Sequence, residues 1–283
     1  MTAATGRLGP APPLAIAQKA TNNGAMCLLA LAWKTHPRWR LVLAGNRDEF
    51  HARPAAALAP WPEAPGVVAG RDLQSGGSWA GVGPRGRVAV VTNVRDPGLA
   101  APPGAPSRGA LVADFLKSDA GAGAADAAAA LHDQAGRFAP FNLLLADAAQ
   151  CHYVGNWPTP VQRVVAPGVH GMSNGPLDDP WPKTRRLCRA LQAWLQGPAE
   201  DPAALWEALA DEHLAADADL PNTGVPLDLE RRLSATFIRG ERYGTRASTL
   251  IAIAHDGTGW IAERRFGPDG RFDGQTHIAW PAA

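Results

Sequence analysis

The strongest constraint on the fold is a pair of short apolar segments near the start of the chain. CLLALAW occupies residues 27–33 and RLVLAGN occupies residues 40–46, and the six residues between them, KTHPRW, include Pro37. Apolar runs of this length, separated by a turn-forming proline, are typical of two antiparallel strands joined as a β-hairpin. We therefore expect the folded part of the chain to begin with a hairpin.

Further short apolar segments continue this pattern. Strands are predicted for VVAGRD (67–72), SWAGVG (78–83), RVAVVTN (87–93), FNLLLAD (141–147), the segments around Tyr153 and Val161–Val165, ATFIRG (235–240), STLIAIAHDG (248–257) and GWIAERRFG (259–267). The Pro-rich stretch Arg53–Pro65 is predicted to be a loop. An early sheet is therefore expected, followed by further strands in the middle and at the end of the chain.

Helical segments lie between these groups of strands. Ser107 has the short polar side chain of an N-cap and precedes RGALVADFLKS (108–118), and the alanine-rich segment 125–136 favours a second helix. In 181–195, leucines recur at helical spacing. Strands, then helices, then strands again predict an α+β fold with sheets inside and helices outside. No internal repeat or linker divides the sequence, so residues 26–283 are predicted to form one domain.

Residues 1–25 are treated as a separate leader. A secretory signal peptide needs a basic start, roughly 7–15 apolar residues and a small-residue cleavage site. The only apolar piece of this leader is Leu14–Ala17, and three prolines precede it. We expect the leader to be disordered, or to reflect a translation start placed upstream of the true one at Met26. In both cases we expect the mature protein to begin at Cys27.

The composition excludes several classes of function. The formal net charge of +1 provides no basic surface for nucleic acid, and no apolar run reaches the length of a transmembrane helix. The three cysteines, Cys27, Cys151 and Cys188, are widely spaced, which favours a reducing, cytoplasmic location over a disulfide framework or a zinc site. The eight histidines show no HxH or HExxH spacing, so no metal or other cofactor is expected. The predicted partner is a small-molecule substrate or ligand.

Cys27 is the candidate nucleophile. Removal of the preceding methionine would expose a cysteine that carries both a thiol and a free α-amine. An α-amine with a pKa of about 8 can act as the base toward its own side chain. A neighbouring cation such as Arg47 would lower the pKa of the thiol. The alternative is a buried structural cysteine, because free cysteine is among the most buried residue types.

The four polar residues Asn46–Glu49 end the second predicted strand. Antiparallel pairing across a short turn would bring Arg47 and Asp48 close to Cys27, because this end of the second strand lies beside the start of the first. Arg47 would then lower the pKa of the thiol while Asp48 anchors the α-amine. The alternative is a solvated ion pair at a surface strand end, which contributes little to stability.

Three further polar residues are candidates for the site. Asn93 and Asn174 each follow a strand-like stretch and precede turn residues. A neutral amide at such a position donates to the oxyanion of an acyl-transfer reaction, or simply forms a turn. Arg246 lies in a predicted Gly-Thr-Arg turn and fits either binding of a substrate carboxylate or a structural bridge.

Seven motifs occur in an order that resembles one known family. They are Met26-Cys27-Leu28, Asn46–Glu49, GGSWAG (76–81), TNVR (92–95), SRG (107–109), GMSNGP (171–176) and YGTRAST (243–249). This ordered set resembles the NRDE-motif family, which is also named for transport and Golgi organisation, over nearly the whole predicted domain. That family in turn resembles the cysteine N-terminal-nucleophile amidases, such as penicillin V acylase and bile-salt hydrolase.

The resemblance implies a fold and a set of site residues. The implied fold is the αββα sandwich of N-terminal-nucleophile hydrolases. Matched by motif order, the implied catalytic residues are Cys27, Arg47, Asp48, Asn93, Asn174 and Arg246. The implied function is hydrolysis of an amide or acyl bond, with Cys27 as nucleophile and with Asn174, assisted by Asn93, holding the oxyanion.

Two other functions stay open at this point. The family is associated with haem movement and membrane trafficking, which implies a non-enzymatic carrier of a small hydrophobic ligand. In such a carrier Cys27 would bind haem iron as a thiolate or would be merely structural. A third interpretation is a structural relic of the hydrolase fold, because a fold does not determine a function.

Overall fold

The predicted hairpin forms the centre of the fold. β1 (Ala25–Trp33) and β2 (Trp39–Phe50) pair antiparallel. The sequence therefore predicts this hairpin correctly.

The computed structural model describes residues 25–99, 101–118 and 123–281, with side chains from Leu28 onward. The predicted leader up to residue 24 lies outside the described residues.

Thirteen strands in the described ranges form two sheets. The remaining strands are β3 (Ala55–Pro60), β4 (Val68–Asp72), β5 (Ala80–Gly83), β6 (Arg87–Asn93), β7 (Phe141–Ala146), β8 (Cys151–Gly155), β9 (Val161–Val164), β10 (Gly168–Met172), β11 (Tyr243–Ala254), β12 (Gly259–Phe266) and β13 (Phe272–Trp280). One sheet has the order β13-β12-β11-β2-β1-β10 and the other has the order β9-β8-β7-β6-β5-β4-β3. They are joined where Met26 of β1 pairs in parallel with Thr92 of β6.

Side chains alternate along each strand between two apolar layers. Leu29 and Leu31 of β1 pack in the same cluster as Val88 and Val90 of β6, so this core lies between the two sheets. Leu28 belongs to a different cluster on the opposite face of β1, because successive strand residues point to opposite faces. Each sheet therefore has an inner face, which meets the other sheet, and an outer face, which needs a cover.

Helices cover both outer faces. They are α1 (Arg108–Lys117), α2 (Ala124–His132), α3 (Pro182–Gln196), α4 (Ala203–Leu209) and α5 (Leu227–Leu233). α1 and α2 pack on the sheet that contains β6, and α3 and α4 pack on the sheet that contains β1. The layers are helix, sheet, sheet, helix, which confirms the predicted α+β fold and the αββα sandwich. Within the described ranges no helix is long and apolar enough to cross a membrane.

Two local predictions are wrong. Part of the predicted Pro-rich loop forms β3, an edge strand that ends at Pro60, where a strand tolerates the missing amide. The segment ATFIRG forms no strand, because Thr245 takes both main-chain groups of Ile238. The Ile238 amide donates to the Thr245 hydroxyl oxygen, and the Ile238 carbonyl accepts from the Thr245 amide. Neither the amide nor the carbonyl of Ile238 is therefore left to pair with a neighbouring strand.

Candidate active site

The start of β1 lies where the two sheets meet. Met26 pairs with Arg47 of β2 on one side and with Thr92 of β6 on the other. The register between β1 and β2 shifts between Met26 and Leu28, so the backbone of Cys27 lies in an irregular, bulged part of the strand. Bulges are common beside active sites, where they redirect a side chain. The side chain of Cys27 itself lies outside the part of the chain that the structure describes.

β10 brings the second candidate asparagine to this junction. Leu29 of β1 pairs antiparallel with Met172 of β10. β10 ends at Met172, and Asn174 follows two residues later, beside the start of β1. Nδ2 of Asn174 donates a 3.0 Å hydrogen bond to the main-chain carbonyl of Asn93, at the end of β6. The structure thus brings Asn93 and Asn174 together at the start of β1.

A buried ion pair holds the amide of Asn174 in one orientation. Nη2 of Arg95 donates to Oδ1 of Asn174 at 3.1 Å, and Nη1 of Arg95 lies 2.9 Å from Oε2 of Glu230. Since Oδ1 accepts from Arg95 and Nδ2 donates to Asn93, the amide cannot reverse without losing both bonds. An amide nitrogen carries two N–H groups, and within the described ranges one of them has a protein acceptor, so the second can donate to a ligand. The TNVR motif contains Arg95, but nothing in the sequence indicated its partners.

Arg47 is a buried cation, with 2% of its side chain exposed. Its guanidinium lies over the ring of Trp79, 4.7 Å from the centroid. Nη2 of Arg47 lies 3.5 Å from Oε2 of Glu49 and 3.8 Å from Oδ2 of Asp72, which are ion-pair distances without a hydrogen bond. Burial lowers the pKa of the guanidinium, which still remains protonated because the ordinary pKa is so high. The alternative of a solvated surface ion pair is therefore wrong.

Asp48 lies on the opposite face of β2 from Arg47, as strand alternation requires. Its backbone pairs with Ala25, two residues before Cys27. Oδ1 of Asp48 accepts a 2.7 Å hydrogen bond from the hydroxyl of Thr245. The two charged residues of the NRDE motif thus approach the start of β1 on different faces of one strand, and both are buried.

Arg246 does not lie in a turn, which corrects the prediction. It lies within β11, where the register with β2 shifts after Thr245, and the residue that follows Arg246 pairs with Arg47. Nη1 of Arg246 donates to the main-chain carbonyls of Phe50, at 3.3 Å, and of Arg53. A strand position beside β2 explains why Arg246 reaches the NRDE segment, although Arg246 and Phe50 are 196 positions apart in the sequence.

A cavity of about 220 Å³ lies beside Arg47. The charged residues that line it are Arg47, Arg246, Glu263, Arg265 and Asp273. Trp79, Phe266 and small alanines of β3 form the uncharged part of the wall. Two of the predicted site residues, Arg47 and Arg246, therefore share one cavity.

Glu263 is a carboxyl in this cavity that the sequence analysis missed. It lies on β12, and its Oε1 accepts a 2.9 Å hydrogen bond from the amide of Leu58. Burial raises the pKa of Glu263 to about 7, although the Leu58 hydrogen bond and the nearby Arg265 and Arg47 oppose the shift. Strand alternation could have indicated that Glu263 is buried, because it places Glu263 on the same face of β12 as the buried Ile261.

A larger cavity of about 470 Å³ lies beside Asn174. Trp157 and Trp181 form apolar walls, and Arg95 and Asp219 add polar groups. Its volume falls within the roughly 300–1,000 Å³ range of small-molecule sites. One cavity therefore lies beside Arg47 and Arg246, and the other lies beside Asn174.

The other two cysteines lie in surroundings that disfavour a thiolate. Cys151 is buried in β8, and Cys188 is half-buried in α3. Burial raises the pKa of each thiol to about 12. No group of three or more His, Cys, Asp or Glu side chains in the described ranges is arranged to hold a metal ion.

The four layers, with a first strand that starts at a polar junction between two sheets, define a protein with the architecture expected of N-terminal-nucleophile hydrolases. The chain belongs to the family described as Transport and Golgi organisation 2, whose model matches residues 26–268. This confirms the resemblance drawn from the ordered motifs.

The chain is similar to named members of this family over most of its length. It is 33% identical to the Transport and Golgi organization protein 2 homolog of Bos taurus, over 266 residues that cover 84% of this chain and 92% of the relative. It is 30% identical to the Homo sapiens homolog with the same coverage. Among solved structures, it aligns with the Caenorhabditis elegans N-acylethanolamine-hydrolyzing acid amidase ortholog, with a TM-score of 0.47 and 11% identity, covering 80% of this chain and 92% of that one.

Proposed function

We propose that this protein is a cysteine N-terminal-nucleophile hydrolase that cleaves an amide or other acyl bond of a small molecule, with Cys27 as the nucleophile. One observation carries the proposal. Strands from three distant parts of the sequence bring Arg47, Asn93 and Asn174 to the start of β1, where Cys27 lies. A nucleophile, a cation and an amide donor at one place are the groups that acyl transfer needs.

The first step forms a bond between Cys27 and the substrate. The free α-amine accepts the thiol proton, and the thiolate attacks the carbonyl carbon, so that the π electron pair moves onto oxygen. Arg47 supports this step because a nearby buried cation lowers the pKa of a thiol. Asp48 holds the resulting ammonium, since an opposite charge favours the charged form of the amine.

The second step breaks the bond to the leaving group. Asn174 donates to the oxyanion with its remaining N–H, and the carbonyl of Asn93 keeps the amide in place. The oxyanion collapses, the ammonium protonates the departing nitrogen, and a thioester remains on Cys27. Water then attacks the thioester carbonyl carbon while the amine takes a proton from that water. The C–S bond breaks, the carboxylic acid is released, and the Cys27 thiolate takes the proton back from the ammonium.

The direct test uses protein that begins at Cys27. We expect a panel of small amides and thioesters to give product, and intact mass spectrometry to detect an acyl adduct on Cys27. The Cys27→Ala variant and protein that retains residues 1–26 should show neither. Failure to find turnover or an adduct on any member of the panel, with the amine of Cys27 shown to be free, contradicts the proposal.

A second experiment separates hydrolysis from ligand carriage. Asn174→Ala should lower kcat by about 100- to 1,000-fold if Asn174 donates to the oxyanion. The same change should leave the binding of a ground-state ligand almost unaltered. Asn156→Ala is the matched control, because the Asn156 amide lies away from β1: it donates to the carbonyls of Ala135 and Phe138 and accepts from the amide of Phe141. Loss of haem binding in Asn174→Ala, with no hydrolysis by the parent protein, would favour a haem carrier.

A further inference from the structure

Two arginines that line the cavity, Arg47 and Arg246, each have a buried guanidinium nitrogen without a hydrogen-bond partner among the described residues. These nitrogens are Nη2 of Arg47 and Nε of Arg246. Leaving a buried donor unsatisfied costs about 1–3 kcal/mol, and more for a charged group. Unsatisfied donors on two arginines that line one cavity indicate that a ligand bound there supplies an acceptor.

The charges around the cavity favour an anion. Three arginines line it, on β2, β11 and β12: Arg47, Arg246 and Arg265. Two acids line the cavity. Asp273 of β13 forms an ion pair with Arg271, which lies outside the cavity lining, and burial raises the pKa of Glu263. The facing part of β3 contributes only alanines. With Glu263 protonated, the side chains that line the cavity carry three positive charges and one negative charge. Glu49 and Asp72, which lie outside the lining at ion-pair distance from Arg47, offset part of this excess.

We propose that this cavity binds a carboxylate group of the substrate, with Arg47 and Arg246 as the donors. The two oxygens of a carboxylate lie in one plane and match the planar fork of donors on a guanidinium. The volume of about 220 Å³ is below the roughly 300–1,000 Å³ of pockets that hold whole ligands, so it suits one short arm. Trp79 and Phe266 provide an apolar wall for the stem of that arm.

The inference rests on the proposed function, because it names the class of substrate that the same site takes. Arg47 pairs with Met26, the residue before the proposed nucleophile, and also lines the cavity. A carboxylate bound there therefore lies close to the bond that Cys27 attacks. The substrate class is a small amide or acyl compound that carries a carboxylate near the scissile bond.

Glu263 makes this binding depend on pH. The groups that face it are Arg47 of β2, Arg246 of β11, Arg265 on its own strand, Asp273 of β13 and the main-chain amide of Leu58. When protonated, Glu263 donates an O–H to a bound carboxylate, and when ionised it repels that carboxylate. Since its pKa is about 7, affinity for a carboxylate should fall as the pH rises through about 7.

The test is direct binding of propionate to the Cys27→Ala protein, measured by NMR titration at a pH of about 6 in a buffer free of other carboxylates. Propionamide is the neutral probe of the same shape. We expect saturable binding of propionate and at least about tenfold weaker binding of propionamide, as expected for the loss of a charge-assisted pair. Equal affinity for the two probes, or no saturable binding of propionate, overturns the inference.

Variants on neighbouring strands locate the binding. Arg246→Gln should weaken propionate binding about tenfold or more. Arg264→Gln is the matched control, since Arg264 lies on β12 but packs over the ring of Trp206 at 4.4 Å, away from the cavity. Unchanged affinity in a folded Arg246→Gln protein overturns the inference.

Glu263→Gln provides a second, independent variant. It keeps a hydrogen-bond donor but cannot ionise, so propionate affinity should no longer fall between pH values of about 6 and about 8. A pH dependence as large as that of the parent protein counts against the inference, whether or not the Arg246 variant folds.

The inference and the proposed function fail in distinguishable ways. Specific propionate binding by Cys27→Ala protein, together with no hydrolysis by the parent protein, supports the carboxylate site and contradicts the hydrolase. Hydrolysis of neutral amides at the same rate as their carboxylate-bearing analogues supports the hydrolase and overturns the carboxylate site.

Discussion

The hydroxyl of Thr245 donates a 2.7 Å hydrogen bond to Oδ1 of Asp48, across 197 positions of sequence. The same hydroxyl oxygen accepts the amide N–H of Ile238 at 2.9 Å. Both side chains are buried, with 1% of each residue exposed. One hydroxyl therefore fixes the carboxylate that we assign to the α-amine of Cys27, and it joins β2 to β11.

Thr245→Val should destabilise the protein. The change keeps the shape of the side chain but removes the donor to Asp48 and the acceptor for Ile238, so a buried carboxylate and a buried amide each lose a partner. The expected loss in the free energy of unfolding is about 1–3 kcal/mol, measured by urea denaturation.

Thr249→Val is the matched control for this prediction. Thr249 lies on the same strand and is 2% exposed, but its hydroxyl has no hydrogen-bond partner within the described ranges. The same substitution should therefore leave the free energy of unfolding within about 0.5 kcal/mol of the parent, or raise it. Equal losses in the two variants would show that the bond to Asp48 contributes nothing.

The sequence predicted the parts of the site that depend on local pairing. Arg47 and Asp48 reach the start of β1 because the turn between β1 and β2 is short, and a short turn determines which ends of two strands meet. The apolar pattern of residues 27–46 contains that information. The roles expected of Arg47 and Asp48 also followed from this pairing, and the order of the motifs then implied which residues form the site.

The remaining parts of the site depend on pairings between distant segments. Asn93 meets Asn174 only because β6 joins β1 in parallel and β10 pairs with the other part of the same edge, and no local pattern predicts either contact. Arg95 and Glu230 form a buried ion pair across 135 positions. A charged residue in a sequence usually indicates an exposed surface, so burial of this pair could not be predicted from the residue types alone.

Glu230→Ala should lower stability strongly. The side chains of Arg95 and Glu230 are only 6% and 4% exposed, so removal of Glu230 leaves a buried guanidinium without its anion. The expected loss is about 3–5 kcal/mol in the free energy of unfolding, measured by chemical denaturation.

Glu212→Ala is the comparison for that change. Glu212 pairs with Arg239, and these side chains are 45% and 52% exposed. Solvent screens such a pair, so the expected loss is less than about 1 kcal/mol. If the two alanine variants are destabilised equally, burial of the Arg95–Glu230 pair does not have the effect predicted here.

Cys27 should be the first cysteine to react with iodoacetamide near neutral pH. Burial raises the pKa of Cys151 and of Cys188 to about 12, so very little of either thiol is ionised at neutral pH. In protein that begins at Cys27, peptide mass spectrometry after a limiting dose should find the label mainly on that residue. Faster labelling of either other cysteine in folded protein would contradict this prediction.

The rate at which Cys27 is labelled should depend on Arg47. Arg47→Ala should slow labelling, because the thiolate loses a nearby cation, and retention of the leader should slow it because the α-amine is blocked. Arg40→Ala is the control, since Arg40 lies at the other end of β2 and donates to the carbonyl of Gly86 at 3.3 Å. If all these proteins are labelled at one rate, Arg47 and the amine do not tune the thiol.

Glu263→Gln should stabilise the protein at high pH and not at low pH. Burial raises the pKa of Glu263 from 4.5 to about 7, so the folded state holds the proton more tightly than the unfolded state does. Glu263 therefore contributes its full stabilisation of the folded state below pH 4.5. This stabilisation is lost as the pH rises to about 7, and it does not change further above that pH.

Glutamine does not titrate, but its side-chain oxygen can still accept from the amide of Leu58. The difference in the free energy of unfolding between Glu263→Gln and the parent should therefore shift in favour of the variant between pH values of about 5 and about 8. The shift is a few kcal/mol at most, since one pKa unit corresponds to about 1.4 kcal/mol. Urea denaturation at the two pH values measures it. Glu207→Gln, which changes an exposed glutamate of α4, is the matched control. A difference for Glu263→Gln that stays constant with pH would mean that Glu263 ionises in the folded protein as it does in the unfolded chain.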